Sequence, residues 1–341
     1  MTDEQWQELA GIVRGENPGR GTAGFIIDSP WLPGWYGVSL LDYYSSDRIW
    51  LEANRKAIET FPEVIFLPGF WSEYGMCTEP SAFGARMVWS ESNLPHADRI
   101  LEDAAGLSKI AKPDVKTDGL LPFVLNRLRH GEPHIREMGH EIKFAVSRGP
   151  LNIASFLAGT TELMLALTMK PEEVHRGLAA ITEFISDWLS LQAATFPGIE
   201  GILVLDDIVG FLGEEDFKAF ALPYLKQIFQ AFEMPVRLFH NDAHGLVCAP
   251  YLEQIGVNVF NFSFEHSLSE IRELSGKDIV LLGNLPPRDV LAQGSPDEVQ
   301  RAVRDMVETA PDSHRIIWSC GGGMPPGVPT ENIRAFLSAI R

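Results

Sequence analysis

The residues best equipped for chemistry lie in LFHNDAHG (238–245), where an apolar run ends on His240 and is followed by Asp242 and His244. Their spacing lets two of the three face one ion after a turn. A second candidate, Cys320, closes the run RIIWSC (315–320) and precedes the glycine-rich stretch GGGMPPG. Nitrogen, oxygen and sulfur donors together suit zinc, which accepts imidazole, carboxylate and thiolate. The spacing matches neither a zinc finger nor a zincin, so a hydrogen-bonded core His240 is the alternative. Arg148, in SRGPLNIASFLAG, can grip a carboxylate or phosphate through two bonds, or else pair with Asp206 or Asp207. Asp28, Asp206 and Asp207 also end apolar runs, where carboxylates are costly to bury unless paired, hydrogen-bonded or used on a ligand.

These residues share a position just beyond short apolar runs. Eight such runs read as strands: AGFIID (23–28), EVIFLP (63–68), IKFAVS (142–147), GILVLD (201–206), VRLFH (236–240), VNVFNF (257–262), DIVLLG (278–283) and RIIWSC. Near-continuous apolar character fits parallel strands covered on both faces. Between them lie amphipathic segments. Val174, Leu178, Ile181, Ile185 and Leu189 form a helical stripe behind Pro171, and Ser295 is placed to cap a helix beginning at Pro296. Pro223 should interrupt the helical GEEDFKAFALPYLKQIFQAF, and PTENIRAFLSAIR reads as a terminal helix. The expected architecture is a single (β/α)8 barrel over residues 1–341 with an N-terminal helical extension, an open doubly wound sheet being the alternative. In a barrel, catalytic groups sit on the loops after the strands, where these polar residues fall. Aromatic residues Trp31, Trp35, Tyr36, Phe70, Trp71 and Tyr74 crowd the first two such loops.

With 28 Lys and Arg against 46 Asp and Glu, the 341-residue chain has a formal net charge of −18. Such a surface repels phosphate backbones and anionic lipid, so neither nucleic acid nor membrane is an expected partner. No apolar run approaches the roughly 20 residues of a membrane span, and MTDEQWQELAG lacks the features of a signal peptide, so a cytoplasmic location is expected. Three cysteines, with no CxxC pair, are too few for a disulfide framework. GxxxxGK[ST] and GxSxG motifs are missing, which removes the usual signatures of P-loop nucleotide folds and serine hydrolases.

EPSAFGA (79–85), SRGPLNIASFLAG, VLDDIVGFLGEEDFKAFALPYLKQIF, LFHNDAHG, IGVNVFNFSFE, LLGNLPPRDVLAQGSPDEVQRAV and CGGGMPPGVPTENIRAFLSAI together resemble the uroporphyrinogen decarboxylase superfamily across residues 50–341. The superfamily comprises true decarboxylases and cobamide-dependent methyltransferases. The decarboxylases carry a basic RQAGR-type segment after the first strand; here that region is IIDSPWLPGWYG, without arginine. The EPSAFG segment and the glycine-rich C-terminal turn resemble the methyltransferase branch instead. In its thiol-activating members zinc is held by a His-x-Cys pair and a later Cys. The resemblance therefore implies His240, Asp242 and Cys320 as metal ligands, with Asp242 in place of the middle cysteine.

That exchange weakens the case for thiol activation and opens an oxygen or amine acceptor, or a methoxy donor. The expectation is a corrinoid-linked methyltransferase using zinc and a cobamide, with the corrinoid on a separate carrier protein. Asp28, Arg148, Asp206 and Asp207 are its expected catalytic residues, and Trp35, Tyr36, Glu79, His244 and Asn284 its cofactor contacts. One alternative is a decarboxylase or lyase in which Arg148 binds a substrate carboxylate and the aspartates manage protons. Another is a non-catalytic corrinoid-protein partner. HNDAHG is only an echo of the cobalamin-ligating DxHxxG motif of carriers, because Gly245 follows His244 directly.

Overall fold

The computed structural model describes residues 1–17, 21–311 and 315–341. Ten strands run in chain order: β1 (Gly24–Ile26), β2 (Ile65–Leu67), β3 (Met87–Val88), β4 (His96–Ala97), β5 (Phe144–Arg148), β6 (Gly201–Leu205), β7 (Val236–Asn241), β8 (Val259–Phe262), β9 (Val280–Leu285) and β10 (Ile316–Cys320). All eight apolar runs form strands. The short antiparallel hairpin β3–β4 had no signal in the sequence.

Six strands make a parallel sheet in the order β10-β9-β8-β7-β6-β5, and β1 pairs with β2, also in parallel. A parallel bridge between Ala23 and Trp318 joins the two sheets. No ladder connects β2 to β5 among the described residues, so the α/β arrangement is a distorted, barrel-like one. Its interior is a single apolar cluster to which all eight strands contribute, including Ile26, Leu67, Val146, Leu205, Leu238, Val259, Leu282 and Ile317.

The helix α1 (Asp3–Arg14) inserts Trp6, Leu9 and Ile12 into that cluster. A capping box between Thr2 and Gln5 starts it, and Trp6 packs edge-on against Phe144 with ring centroids 5.7 Å apart. The Met1 amine donates to the Glu141 carbonyl at 3.0 Å, which ties the start of α1 to the segment leading into β5.

A second, larger core lies between strands and outer helices. Helix Pro171–Thr195 buries Val174, Leu178, Ile181, Ile185 and Leu189 there, as the 3.6-residue stripe requires. Ser295 caps Pro296–Thr309 through a capping box with Glu298. The interruption expected at Pro223 is a π-helical turn at Phe217–Ala221, after which Leu222–Gln230 resumes as α-helix.

Register decides what faces inward. Arg148, Leu205, His240, Asn261 and Leu282 form one row of paired residues across β5 to β9. Alternate residues of a strand share a face. Val146, Leu203 and Leu238 belong to the inner cluster, so Arg148, Leu205 and His240 point the same way, above them. Among the described residues no single helix is long and apolar enough to cross a membrane.

Candidate metal and substrate site

A cavity of about 370 Å³ opens above the inner core at the C-terminal ends of the strands. Asp28, Trp71, Glu73, Arg148, Asp207, His240 and Asp242 line it, with Arg288 at its rim and Gly321, Gly323, Met324, Pro325 and Pro326 from the glycine-rich turn. This volume lies near the lower end of small-molecule sites, roughly 300–1,000 Å³.

One ligand atom each from Asp207, His240 and Asp242 lie within 4.8 Å of one another. His240 Nε2 is 3.5 Å from Asp207 Oδ1 and 3.8 Å from Asp242 Oδ2. Around a tetrahedral ion with bonds of about 2.0–2.1 Å, ligand atoms sit roughly 3.3–3.5 Å apart. The donors thus need only a small adjustment to enclose an ion, and their two carboxylates would balance a divalent charge.

The imidazole is aimed by its other nitrogen. His240 Nδ1 lies 2.7 Å from Asn261 Oδ1, while Asn261 Nδ2 donates to the Leu282 carbonyl at 2.8 Å. The second bond turns the amide oxygen toward His240, so Nδ1 carries the proton and Nε2 presents its lone pair to the carboxylates. A metal-bound histidine is oriented in the same manner. Asp242 is steadied by its own N–H, which donates to Asp207 Oδ1 at 3.2 Å. Gly322, with φ +86°, lets the C-terminal turn come close: a Cβ there would lie 2.4 Å from Asp242 Oδ2.

Opposing charges meet on another wall. Arg148 Nη2 donates to Glu73 Oε2 at 2.8 Å, the guanidinium stands over the Trp71 ring, and the Arg148 N–H donates to Glu79 Oε1 at 3.0 Å. Desolvation works against the Arg148 charge, but Glu73, Glu79, Asp28 and Asp207 outweigh it and raise its pKa. Burial likewise raises the pKa of Asp28 and Glu79, and carries Glu73 well above the usual carboxylate range. Arg148 lines the cavity with one of its nitrogens paired to Glu73.

The other expectations divide by strand parity. Asp207 has the parity of Leu203 and Leu205 and faces the cavity; Asp206 shares that of Ile202 and Val204 and faces the helices. There Asp206 Oδ2 accepts from Leu151 N at 2.9 Å, at the start of helix Pro150–Ala158. Burial raises its pKa well above the ordinary value. Cys320 follows Ile316 and Trp318 into the outer core, where its thiol donates to the Gly322 carbonyl at 3.6 Å. Burial pushes that thiol up to about 12. In the cluster the structure assembles, Asp207 stands beside His240 and Asp242 where Cys320 was expected.

Of the expected cofactor contacts, none lines this cavity. Trp35 stacks on Trp31 and donates to Thr330 Oγ1, and the Tyr36 hydroxyl donates to Glu52. Glu79 lies buried behind Arg148. His244 is exposed and paired with Glu265 at 2.5 Å, while Asn284 donates to the His266 carbonyl. Trp71 lines the cavity, as its place among the strand-end aromatics allowed, whereas Glu73 and Asn261 had not been assigned a role from the sequence. Asn261 carried a usable signal, since it follows Val259 by two residues and so shares its inward face.

Parallel strands carrying a polar cavity and a metal-capable triad at their C-terminal edge define a barrel-like enzyme architecture of the α/β class. Residues 36–341 match the family described as uroporphyrinogen decarboxylase (URO-D), and the chain belongs to that family. Among curated relatives, a uroporphyrinogen decarboxylase of Thioalkalivibrio sulfidiphilus is 24% identical over 89% of this chain and 86% of its own length. A methylated-thiol–coenzyme M methyltransferase of Methanosarcina mazei is 23% identical over 79% and 71%. Identity at this level does not separate the two activities. In fold, the chain is similar to a solved methyltransferase from Methanosarcina mazei, with a TM-score of 0.81, 16% identity and 98% of both chains covered. A B12-independent methionine synthase from Shewanella sp. W3-18-1 aligns with a TM-score of 0.54 and 10% identity over 94% of each.

Proposed function

We propose that this protein is a zinc-dependent methyltransferase that moves a methyl group between a small molecule and a corrinoid presented by a separate carrier protein. The observation that carries this reading is the Asp207–His240–Asp242 cluster with Nε2 aimed by Asn261. These three residues would hold the zinc, which would supply Lewis acidity toward a bound oxygen or thiol at the small-molecule end. Trp71, Leu205, Met324, Pro325 and Pro326 supply the apolar walls that limit water around a reacting methyl group. The same reading takes the eight parallel strands as one distorted (β/α)8 barrel within a single domain, residues 1–341, working in the cytoplasm. The shared interior cluster supports the barrel.

True uroporphyrinogen decarboxylation fits the site poorly. The loop after β1 brings Asp28 to the cavity and no arginine, and Arg148 is held by Glu73. An octacarboxylate would meet Asp28, Glu73, Asp207 and Asp242 there, with Arg148 and the rim Arg288 as the cations among the lining residues.

Protein purified without a metal-affinity tag should contain one equivalent of zinc by elemental analysis, and H240A should lose it. With zinc bound, methylcobalamin demethylation by candidate acceptors should be visible in the cobalamin spectrum and absent in H240A and D242A. Folded wild-type protein without stoichiometric metal, or H240A that keeps it, refutes the reading. Conversion of uroporphyrinogen III to coproporphyrinogen would do so as well.

A further inference from the structure

Two carboxyl groups on the cavity wall hydrogen-bond to each other, and the metal cluster makes no use of them. Asp28 follows β1 and is partly exposed; Glu73 lies on the loop after β2 and is more than nine-tenths buried, and both line the cavity. Their side chains form a hydrogen bond. Arg148 Nη2 donates to Glu73 Oε2 at 2.8 Å, while the buried Oε1 has no N–H or alcohol donor among the described residues. Ionised carboxylates only accept, so a bond between two of them requires one shared proton. Arg148 is the cation against this pair, and Glu79, Tyr43, Tyr44 and Cys77 are the other titratable groups around it. Burial keeps both tyrosines and the thiol neutral, and it favours retention of the shared proton, since a second bare carboxylate would face the first.

We propose that this pair is the proton store of the reaction: Asp28 exchanges a proton with the oxygen of a methyl ether or of its alcohol or phenol product, and Glu73 holds that proton in place. The inference rests on the methyl-transfer reading above and names its substrate class. When a methyl ether gives its methyl group to cob(I)alamin, the Co–C bond forms with the electron pair of cobalt, the C–O bond breaks, and its electron pair stays on oxygen. The alkoxide or phenolate takes the proton from Asp28 and leaves as alcohol or phenol. The pair, now two carboxylates beside Arg148, regains a proton from water. In the reverse direction the same group accepts the hydroxyl proton. A thiolate, whose parent pKa is about 8.5, has far less need of an acid, so the pair suits oxygen. Asp28 meets the substrate oxygen and is a catalytic residue; Glu73 acts through Asp28 and is a positioning residue.

The shared proton is read first, in wild type and in H240A, because it requires neither metal nor turnover. Near pH 7 the infrared difference between each protein and its E73Q variant should contain a deuterium-sensitive protonated-carboxyl band, and D28N should shift that band. Cob(I)alamin is then given anisole or 4-nitroanisole, whose phenolates differ in basicity, in single turnovers followed by the cobalamin spectrum. D28N should slow anisole roughly tenfold or more beyond its effect on 4-nitroanisole, and D28E should restore part of the difference. E73Q should move the high-pH fall of the anisole rate to lower pH, because Glu73 holds the proton more firmly than Asp28 alone; a merely structural role leaves that profile in place. Absence of the band, or equal losses for the two ethers in D28N, overturns the proposal and leaves the transferase reading standing. Failure of zinc-loaded wild type to demethylate either ether, with methyl transfer to other acceptors intact, does the same. No methyl transfer with any substrate overturns the transferase reading, and this proposal falls with it.

Discussion

Asn261 touches no substrate in the proposed reaction, so its replacement tests whether the structure has identified the metal cluster for the right reason. In N261L a side chain of similar size keeps the inner face of β8 filled but removes the acceptor 2.7 Å from His240 Nδ1. The imidazole is then free to place its proton on Nε2 and to rotate. Loss of the partner that orients a metal-bound histidine typically weakens metal binding 10- to 100-fold. That corresponds to about 1.4–2.7 kcal/mol. The same change leaves the buried Nδ1–H without a partner, at about 1–3 kcal/mol. Competition titration against a chromogenic zinc chelator reads the first effect, and urea unfolding of metal-free protein reads the second. N261D, which keeps an acceptor on Nδ1, should hold zinc at least as well as wild type. Zinc affinity in N261L within twofold of wild type would show that Nε2 is not presented to a metal by this bond, and the argument for the site would fail.

Three further outcomes follow from the same geometry. C320A should keep zinc affinity within about threefold and lose about 1 kcal/mol of stability, because its thiol lies in the outer core; loss of zinc in the chelator titration would restore it as a ligand. R148M should cost about 1–3 kcal/mol in urea unfolding by removing the donor to the buried Glu73 carboxyl, and R148M with E73Q should recover part of that loss. For Asp206, burial raises the folded pKa above the unfolded value of about 3.9, so the folded state binds the extra proton between the two. Its contribution to stability is complete below the unfolded value and is lost as pH rises through the folded one. D206N should therefore gain in melting temperature relative to wild type as pH is raised from about 4, and a flat difference across that range would contradict the buried placement.

The pattern of residues along the chain was sufficient for the strands, the outer helices and the edge at which chemistry gathers. Eight apolar runs bounded by polar residues become strands because each is buried on both faces, and the stripe from Val174 to Leu189 becomes a helix because one face of it is. Parity carried more information still. Counting by twos from Leu203, Leu238 and Ile317 turns Asp207, His240 and Ser319 inward, and Asp206 and Cys320 outward, without reference to any contact.

Other features required the folded chain. Whether His240 becomes a ligand or a core residue depends on Asn261, brought beside it by the register of β7 on β8. Whether Arg148 binds substrate or holds the wall together depends on Glu73, 75 residues away on the loop after β2. Strand formation and helical faces are set by near neighbours in the chain, and so can be read along it. Pairing register and the meeting of distant loops are set by how the whole set of strands and helices buries its apolar surface together, and only the tertiary structure decides them.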